Sequence, residues 1–208
     1  DITQCPNANQ WGLTYDDGPS VDASHYDTEG VRAALKSNNF KATFFLVGSR
    51  AVLLPASEIQ KTIDEGHEIG THTWSHMPMT SLTNAQIVAE MKYTESLLYQ
   101  SIGKVPVLFR PPYGDIDNRV RAIVTALGYK VVMWSVTPGY VRDSFDTSGA
   151  GVNATVRNIQ SWFVSQPGFI SLQHDTNTLT SNIAIQALAS IKNSTRFPLS
   201  PQPVGQCI

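Results

Sequence analysis

The sequence has few charged residues, and the positive and negative charges nearly balance. Lys, Arg, Asp and Glu make up 15% of the 208 residues, and the formal net charge is -2. Such a chain lacks the basic surface that nucleic acid binding requires. It also lacks an apolar run that approaches the roughly 20 residues of a membrane-spanning helix. We therefore expect no nucleic acid partner and no membrane span, and we expect the ligand to be a neutral, soluble molecule.

Cysteine is equally scarce, and the two cysteines stand near opposite ends of the chain. Two unrelated buried thiols are one interpretation. The terminal placement of Cys5 and Cys207 instead favours a disulfide, which would stabilise the fold by about 5 kcal/mol because it closes a long loop. The sequons NAT at Asn153 and NST at Asn193 are acceptor sites for N-glycosylation. With the start DITQC, which resembles a processed mature terminus, they predict a secreted, extracellular or cell-wall glycoprotein.

Short segments rich in β-branched or aromatic residues alternate with amphipathic segments along the chain. The former predict strands at 10–17, 41–48, 66–73, 105–114, 130–136 and 168–175. The latter predict helices at 27–38, 57–65, 83–101, 117–127, 153–165 and 180–192. No composition break divides the chain. We therefore expect one α/β domain over residues 1–208, with parallel strands in a closed or nearly closed barrel.

Polar residues cluster where the predicted strands end. Asp16 and Asp17 end the first strand, and His72 and His76 follow the third; Arg110 and Tyr113 end the fourth, and His174 and Asp175 end a late one. The active sites of (β/α) barrels lie at the carboxyl ends of the strands. We therefore expect these scattered side chains to converge on one site.

Asp16 and Asp17 are adjacent in the sequence. Two carboxylates so close raise each other's pKa and destabilise the fold, unless a cation binds there or one of them has a dedicated role in proton transfer. In HTWSH, His72 and His76 stand four residues apart, a spacing that places both on one side of a helical turn. Surface helices carry such pairs by chance, but with a carboxylate the pair supplies the donors of a catalytic Zn²⁺ site. One aspartate would bind the ion, and the other, its charge supported by Arg110, would take a proton from water.

Four ordered motifs, TYDDGPS, HTWSH, RPPYG and SLQHD, resemble those of the polysaccharide deacetylases of carbohydrate esterase family 4, the NodB-like group. The motifs are most similar to those of fungal chitin deacetylases. The resemblance implies a distorted (β/α) barrel of about seven parallel strands. It also implies metal-dependent hydrolysis of N-acetyl groups from GlcNAc polymers. Chitin or chitooligosaccharides are the expected substrate, and peptidoglycan GlcNAc and acetylated xylan are the alternatives.

The resemblance implies a metal centre and a base. The ligands would be Asp17, His72 and His76, holding Zn²⁺ or, as an alternative, Co²⁺. Asp16 would be the general base, and Arg110 would hold it in its charged orientation. Without the motifs, the last two residues would suit simpler roles, a turn cap for Asp16 and a structural ion pair for Arg110.

The other motifs imply the groups that act on the amide itself. The backbone N–H of Tyr113 would bind the oxyanion, and Leu172 would line a pocket for the acetyl methyl group. His174 would be the general acid that protonates the leaving nitrogen. These roles suit an amide, which needs an oxyanion donor and a proton on nitrogen before its C–N bond breaks.

One family motif departs from the pattern. After the strand VVMWSV the family carries D-x-x-D-W, whose second aspartate pairs with the acidic histidine. The residues aligned here are Thr137, Pro138, Gly139, Tyr140 and Val141. Without a carboxylate partner, the pKa of His174 would be lower and the imidazole a weaker acid. Asp143 or Asp146 in the following loop is an alternative partner, and the sequence leaves this choice open.

Other histidines and tryptophans suit structural roles. We expect His67 to be hydrogen-bonded beneath the metal-binding helix and His25 to lie on the surface. We expect the tryptophans in the core, with one of them, Trp74, also a candidate for shaping the cleft; they are Trp11, Trp74, Trp134 and Trp162. Asp175 would orient a ligand or the acid, or serve as a turn or cap residue.

Two other functions share parts of this pattern. A weakly active, secreted chitin-binding module would keep the cleft and the metal. An iron oxygenase with two histidines and one carboxylate would share the ligand types. The alternating strands and helices and the acid-base residues disfavour the oxygenase. We therefore expect a monomeric hydrolase that acts on a polysaccharide or oligosaccharide.

Overall fold

Parallel strands form the centre of the protein, in a computed structural model that describes residues 1–22, 24–25, 27–137, 140–192, 194 and 196–208. One sheet has the order β2 (Thr14–Asp16), β3 (Thr43–Leu46), β4 (Glu68–Thr71), β5 (Leu108–Phe109) and β6 (Lys130–Val131). A second sheet has β1 (Gln10–Gly12) between β9 (Phe169–Ile170) and β10 (Ser200–Gln202). Every pairing in these two sheets is parallel, which confirms the predicted α/β fold.

The two sheets are continuous through β1 and β2, which only Leu13 separates. The N–H of Asp16 donates to the carbonyl oxygen of Gln173 at 2.9 Å, and the N–H of Ser135 donates to that of Ile170 at 3.0 Å. The segment around β9 therefore contacts both the first sheet's edge at β2 and the chain that follows β6. The strands form a nearly closed ring, although no continuous ladder completes it within the described ranges.

The regular strands are shorter than the sequence predicts. The predicted strand at 105–114 contains only β5, because the prolines at 106, 111 and 112 lack the N–H that a ladder requires. An antiparallel pair, β7 (Val136–Thr137) and β8 (Tyr140–Val141), follows β6 outside the parallel sheets. The sequence pattern does not predict this pair.

Helices connect the strands and pack around them. They are α1 (Thr28–Ser37), α2 (Gly48–Ala51), α3 (Ala56–Asp64), α4 (Asn84–Ile102), α5 (Asn118–Ala126), α6 (Val152–Gln160), α7 (Thr178–Lys192) and α8 (Val204–Cys207). Asp27 caps α1, and Thr83 with Gln86 forms the predicted capping box of α4. The predicted helix 153–165 ends earlier, because Trp162 turns into the core. None of the described helices combines the length and apolar character that crossing a bilayer requires.

Aromatic side chains form the centre of the main hydrophobic core. Trp11 of β1 stacks on Phe169 of β9 with 5.5 Å between the ring centroids, and it contacts Trp162 edge-on at 6.1 Å. Trp11 and Trp162 are buried, as predicted for core tryptophans. The predicted disulfide is also present, since Cys5 and Cys207 are bonded and buried.

His67 is a buried structural residue next to β4. The N–H of Ala42 donates to its Nδ1 at 3.2 Å, and the ring of Phe44 contacts it edge-on. The expectation that it lies beneath a metal-binding helix is wrong, because the segment after β4 is a loop. Burial lowers the pKa of His67 to about 4, and the positive charges of Lys41 and Arg32 act in the same direction.

We expect His67 to make the fold less stable at acid pH. Because its folded-state pKa lies below the unfolded value of about 6.5, the stabilisation is complete above about pH 6.5 and is lost as the pH falls toward 4. The loss should be about 3 kcal/mol of unfolding free energy. His67→Asn keeps an acceptor for the Ala42 N–H without titrating, so its stability should fall less between pH 7 and 4.5 in urea unfolding. Equal losses in wild type and His67→Asn would contradict this account, and the exposed His25→Asn serves as the control.

Candidate active site

The residues that the sequence singles out converge at the carboxyl ends of the strands. Asp16 ends β2, His72 follows β4 and Arg110 follows β5. The predicted metal ligands, base, acid and substrate contacts line one cleft of about 620 Å³: Asp16, Asp17, His72, His76, Tyr113, Leu172 and His174. Arg110 is fully buried behind Asp16. The short strands thus bring together groups that are far apart in the sequence.

Three acceptor atoms meet at the floor of this cleft. Oδ1 of Asp17 lies 3.2 Å from Nε2 of His72 and 2.9 Å from Nε2 of His76. Their ligand atoms all lie within 4.8 Å of one another, and no other such group occurs in the described part of the chain. Oδ1 of Asp17 is buried and accepts no hydrogen bond there. A carboxylate oxygen and two imidazole nitrogens are the donor set of a divalent transition metal, so these residues fit a metal ion.

The outer nitrogens of both imidazoles are held by neighbouring groups. Nδ1 of His72 lies 2.7 Å from the carbonyl oxygen of Arg110, so this nitrogen carries the proton and donates. The lone pair of Nε2 is therefore directed at Asp17, as metal-binding histidines require. Nδ1 of His76 lies 3.2 Å from the hydroxyl of Tyr113, and this contact orients the second imidazole.

The HTWSH segment is a loop, and the expectation of a helical turn is wrong. Thr73 and His76 have φ angles of 68° and 61°, which lie in the left-handed region. Glu90 of α4 accepts hydrogen bonds from the N–H groups of Trp74 and Ser75, both at 2.8 Å, and from the Ser75 hydroxyl at 2.5 Å. This carboxylate therefore holds the peptide units between the two histidines in a conformation that the loop alone would not favour.

Asp16 and Arg110 form a buried ion pair beside the three acceptors. Nη1 of Arg110 donates to Oδ1 of Asp16 at 2.8 Å and to the hydroxyl of Thr14 at 2.6 Å. The guanidinium also lies 4.5 Å from the ring centre of Phe45. Oδ2 of Asp16 lies 4.0 Å from Nε2 of His72. The ion pair thus holds one oxygen of Asp16 and leaves the other facing the metal-type centre.

His174 has a carboxylate partner, Asp146. Oδ1 of Asp146 lies 2.6 Å from Nδ1 of His174, and Oδ2 accepts the backbone N–H of His174 at 2.8 Å. Burial lowers the pKa of His174, but Asp146, with further contributions from Asp16 and Asp17, raises it to a net value of about 9. The imidazole is therefore protonated at neutral pH.

The expectation that no aspartate stands in the D-x-x-D-W motif is wrong. Asp143 and Asp146 have the D-x-x-D spacing, and Thr147 stands where the motif has Trp. The pair β7–β8 precedes them and shifts the motif along the chain, so an alignment without a gap assigns it to the wrong residues. Of those residues, Tyr140 stacks on Arg142 at 3.7 Å, while 138 and 139 lie outside the described residues.

The two predicted substrate contacts lie in the cleft wall. Tyr113 is 69% exposed and has a φ of 60°. Its backbone N–H makes no hydrogen bond within the described residues and is free to donate. Leu172 is largely buried and also lines the cleft.

The cleft also has lining residues that sequence reasoning did not identify, among them two aromatic residues and an arginine. Trp134 lines it, although it was expected in the core, and so do Phe145 and Arg50. Nη1 of Arg50 donates to the carbonyl oxygen of Asp17 at 2.6 Å and also contacts the Thr176 hydroxyl. No local pattern marks these residues, because each reaches the cleft only through the packing of its loop or helix.

The other candidates lie away from the cleft. Asp175 is buried and accepts a hydrogen bond from Thr28 at 2.5 Å; burial, with the charges of Asp17 and Asp16, raises its pKa to about 7. Trp74 does not line the cleft and packs edge-on against Tyr93. His25 is exposed, as predicted.

The fold and this centre define a class of protein, a nearly closed parallel α/β barrel with a metal-type donor set at its strand ends. Residues 3–132 match the family described as polysaccharide deacetylase. The chain therefore belongs to the polysaccharide deacetylase family. This confirms the resemblance drawn from the motifs and argues against the iron oxygenase. Deacetylases of this family are metal-dependent, in agreement with the three acceptors.

Similar proteins include several fungal ones. The chain is 40% identical over 198 residues to chitin deacetylase 1 of Cryptococcus neoformans, covering 89% of this chain and 41% of that protein. It is 38% identical over 203 residues to the chitin deacetylase of Amylomyces rouxii, covering 92% and 45%. The chain thus spans less than half the length of these two relatives. The solved structure of the chitin deacetylase from Colletotrichum lindemuthianum shares the fold, with a TM-score of 0.85 at 24% identity over 100% of this chain and 90% of that one.

Glu90 offers a test of how the loop supports metal binding. Glu90→Ala should weaken the affinity for Zn²⁺ by about 10- to 100-fold, because the peptide units between His72 and His76 lose their acceptor. Affinity would be measured by competition with a chromogenic chelator. Glu95→Ala on the same helix, which breaks contacts with Lys92 and Tyr129 instead, is the matched control. Equal affinities in the two variants would contradict the role of Glu90.

Proposed function

We propose that this chain hydrolyses N-acetyl groups of a GlcNAc-containing polysaccharide, with chitin or chitooligosaccharides as the substrate and acetate as a product. The proposal rests on one observation. A single cleft contains three metal-type acceptor atoms, a carboxylate paired with a cation and an imidazole paired with an anion. Asp16 is paired with a cation, and His174 is paired with an anion. The cleft thus offers a proton acceptor and a proton donor to the same bound substrate. The names of the two fungal relatives support chitin as the polymer.

Asp17, His72 and His76 would hold the metal ion, which we propose to be Zn²⁺, with Co²⁺ as the alternative. Their one oxygen and two nitrogen atoms match the ligands of catalytic zinc. When bound, such an ion polarises the acetyl carbonyl group and lowers the pKa of a water molecule. The protein must then supply the base, the acid and a further oxyanion donor.

Asp16 is the general base in this proposal. Its Oδ2 faces the cleft floor, while Nη1 of Arg110 donates to Oδ1 at 2.8 Å and holds the carboxylate in place. It takes a proton from the water that attacks the acetyl carbon. The unpaired N–H of Tyr113 donates to the oxygen on which negative charge develops.

His174 is the general acid. Asp146 keeps the imidazole protonated, and its Nδ1 contact leaves Nε2 for the substrate. Nε2 donates its proton to the amide nitrogen, so that nitrogen leaves as a neutral amine and not as an amide anion, which is too poor a leaving group. Leu172 provides the apolar wall against which the acetyl methyl group rests.

The setting that we propose is extracellular or in the cell wall. A disulfide persists in an oxidising compartment, and the Cys5–Cys207 bond suits that location. Asn153 lies exposed in the first turn of α6, where a glycan would not disturb packing. The second sequon residue, Asn193, lies outside the described residues. We also propose that the protein acts as a monomer.

The substrate is tested by acetate release from the metal-loaded protein. We expect release from a soluble GlcNAc oligomer to exceed release from peptidoglycan and from acetylated xylan at equal acetyl concentration. Faster release from either alternative would reassign the substrate. Tight binding of the oligomer without acetate release would instead identify a chitin-binding module.

Exchanging each of the paired aspartates separates their proposed roles. Asp16→Asn should retain the metal and lose at least about 10²-fold in rate, the usual scale for a general base. Asp17→Asn should lose metal affinity first. Metal content after dialysis and acetate release are measured on folded protein, with folding checked because Arg110 loses its partner in Asp16→Asn. The same affinity and the same residual rate in both variants would refute the division of roles.

The pKa of His174 predicts where activity ends at alkaline pH. The acid works only while protonated, so the rate should fall as the pH rises past about 9. Asp146→Asn removes the partner that raises this pKa, so the alkaline limb of kcat should move to lower pH by at least about one unit. Asp143→Asn is the matched control, because Asp143 does not contact the imidazole nitrogens. If the alkaline limb stays in place in Asp146→Asn, then Asp146 does not raise the pKa of His174.

A further inference from the structure

Phe145 stands at the wall of the cleft on a tight turn, 143–148. Its side chain is 50% exposed and lines the same cleft as His174 and the three acceptors. Its φ of 57° places a bulky residue in the left-handed region. Such a conformation costs about 1–3 kcal/mol where glycine would be free of the penalty. Neither backbone preference nor burial therefore accounts for a phenylalanine at this position.

The turn holds the ring in a defined place. The N–H of Phe145 donates to Oδ1 of Asp143 at 2.7 Å, and its carbonyl oxygen accepts from the Ser148 hydroxyl at 2.6 Å. The side-chain amide of Asn158 donates to the carbonyl oxygens of Asp143 and Ser144, both at 3.0 Å. The exposed ring is thus presented by a backbone that hydrogen bonds fix on both sides.

The same turn also positions the proposed acid. Asp146, the next residue, is 3% exposed and holds His174 by two contacts. The aromatic ring and the imidazole are therefore linked through adjacent residues of one rigid turn. A ligand that rests on the ring is placed at a constant distance from the group that donates the proton.

We propose that Phe145 is a substrate-specificity residue that stacks on the apolar C–H face of a pyranose ring, in the sugar unit next to the one that loses its acetyl group. A flat aromatic face among polar groups suits a sugar, whose ring has apolar faces and a polar rim. The exposed tip of the cleft wall suits a neighbouring unit, because the three acceptors occupy the floor where the acetyl group reacts. This inference rests on the proposed function, since it assumes a polysaccharide.

The test compares variants of the metal-loaded chain on a soluble GlcNAc oligomer. Phe145→Ala should raise KM by about tenfold and change kcat by less than about threefold, because the ring binds substrate without touching the reacting atoms. Phe145→Trp should keep the wild-type KM, and Phe145→Leu, which is apolar but not planar, should resemble Phe145→Ala. Tyr99→Ala removes an aromatic ring that is 59% exposed on α4 outside the cleft, and it should change nothing.

The thermal stability of a Phe145 variant distinguishes stacking on the sugar from a structural role of the ring. Phe145→Gly should raise Tm, because glycine relieves the left-handed backbone, and it should still raise KM. A lowered Tm in Phe145→Gly, an unchanged KM in Phe145→Ala, or full rescue by Phe145→Leu would each overturn the inference. If the wild type releases no acetate, the proposed function fails by itself. Binding of the oligomer to wild type and to Phe145→Ala, followed by calorimetry, then tests the stacking separately.

Discussion

The buried guanidinium of Arg110 is the group on which the rest of the site depends. It donates to Asp16 and Thr14 of β2, and it also reaches the carbonyl oxygens of Val132 and Met133 after β6. Its own backbone carbonyl accepts the Nδ1 proton of His72. Removing one partner of such a buried pair costs about 3–5 kcal/mol, because the remaining charge stays desolvated. The stability of the barrel and the geometry of the site therefore rely on the same residue.

The second constraint is the crowding of carboxylates at the cleft, and each carboxylate has its own partner. Asp16 faces a guanidinium, Asp17 faces two imidazoles, and Asp146 faces a third. Among the described residues, the side chain of Asp175 has a hydrogen bond from the Thr28 hydroxyl alone, and burial raises its pKa to about 7. Carboxylates that lie close together are therefore held in different electrostatic environments. Acid and base chemistry at one pH requires this kind of separation.

Left-handed backbone conformations concentrate at the cleft. Non-glycine residues with positive φ include five in the cleft and its loops: Asp17, Thr73, His76, Tyr113 and Phe145. Each lies just after a strand or in a short turn, where the chain must redirect a side chain within a few residues. Such conformations persist only where the surroundings hold them, and here Glu90, Arg50 and Asp143 supply the hydrogen bonds. The rigid barrel makes this local strain tolerable.

The sequence by itself determined the order of elements and the residues proposed as metal ligands, base and acid. Caps such as Thr83 with Gln86, helical periodicity and strand-end motifs are local features, so they can be recognised without coordinates. Four motifs also sufficed to recognise the family, because their order and strand-end context are more specific than any one of them.

Only the tertiary structure decided which aspartate supports His174, because Asp146 and His174 are 28 residues apart and β7–β8 displaces the aspartate motif from its expected position after β6. It also decided that His72 and His76 share a loop and not a helical turn. A spacing of four residues suits both, and the choice depends on Glu90 from another element. The position of Phe145 in the cleft likewise depends on how its turn packs against other segments. Contacts between distant segments follow from packing, which no local pattern encodes.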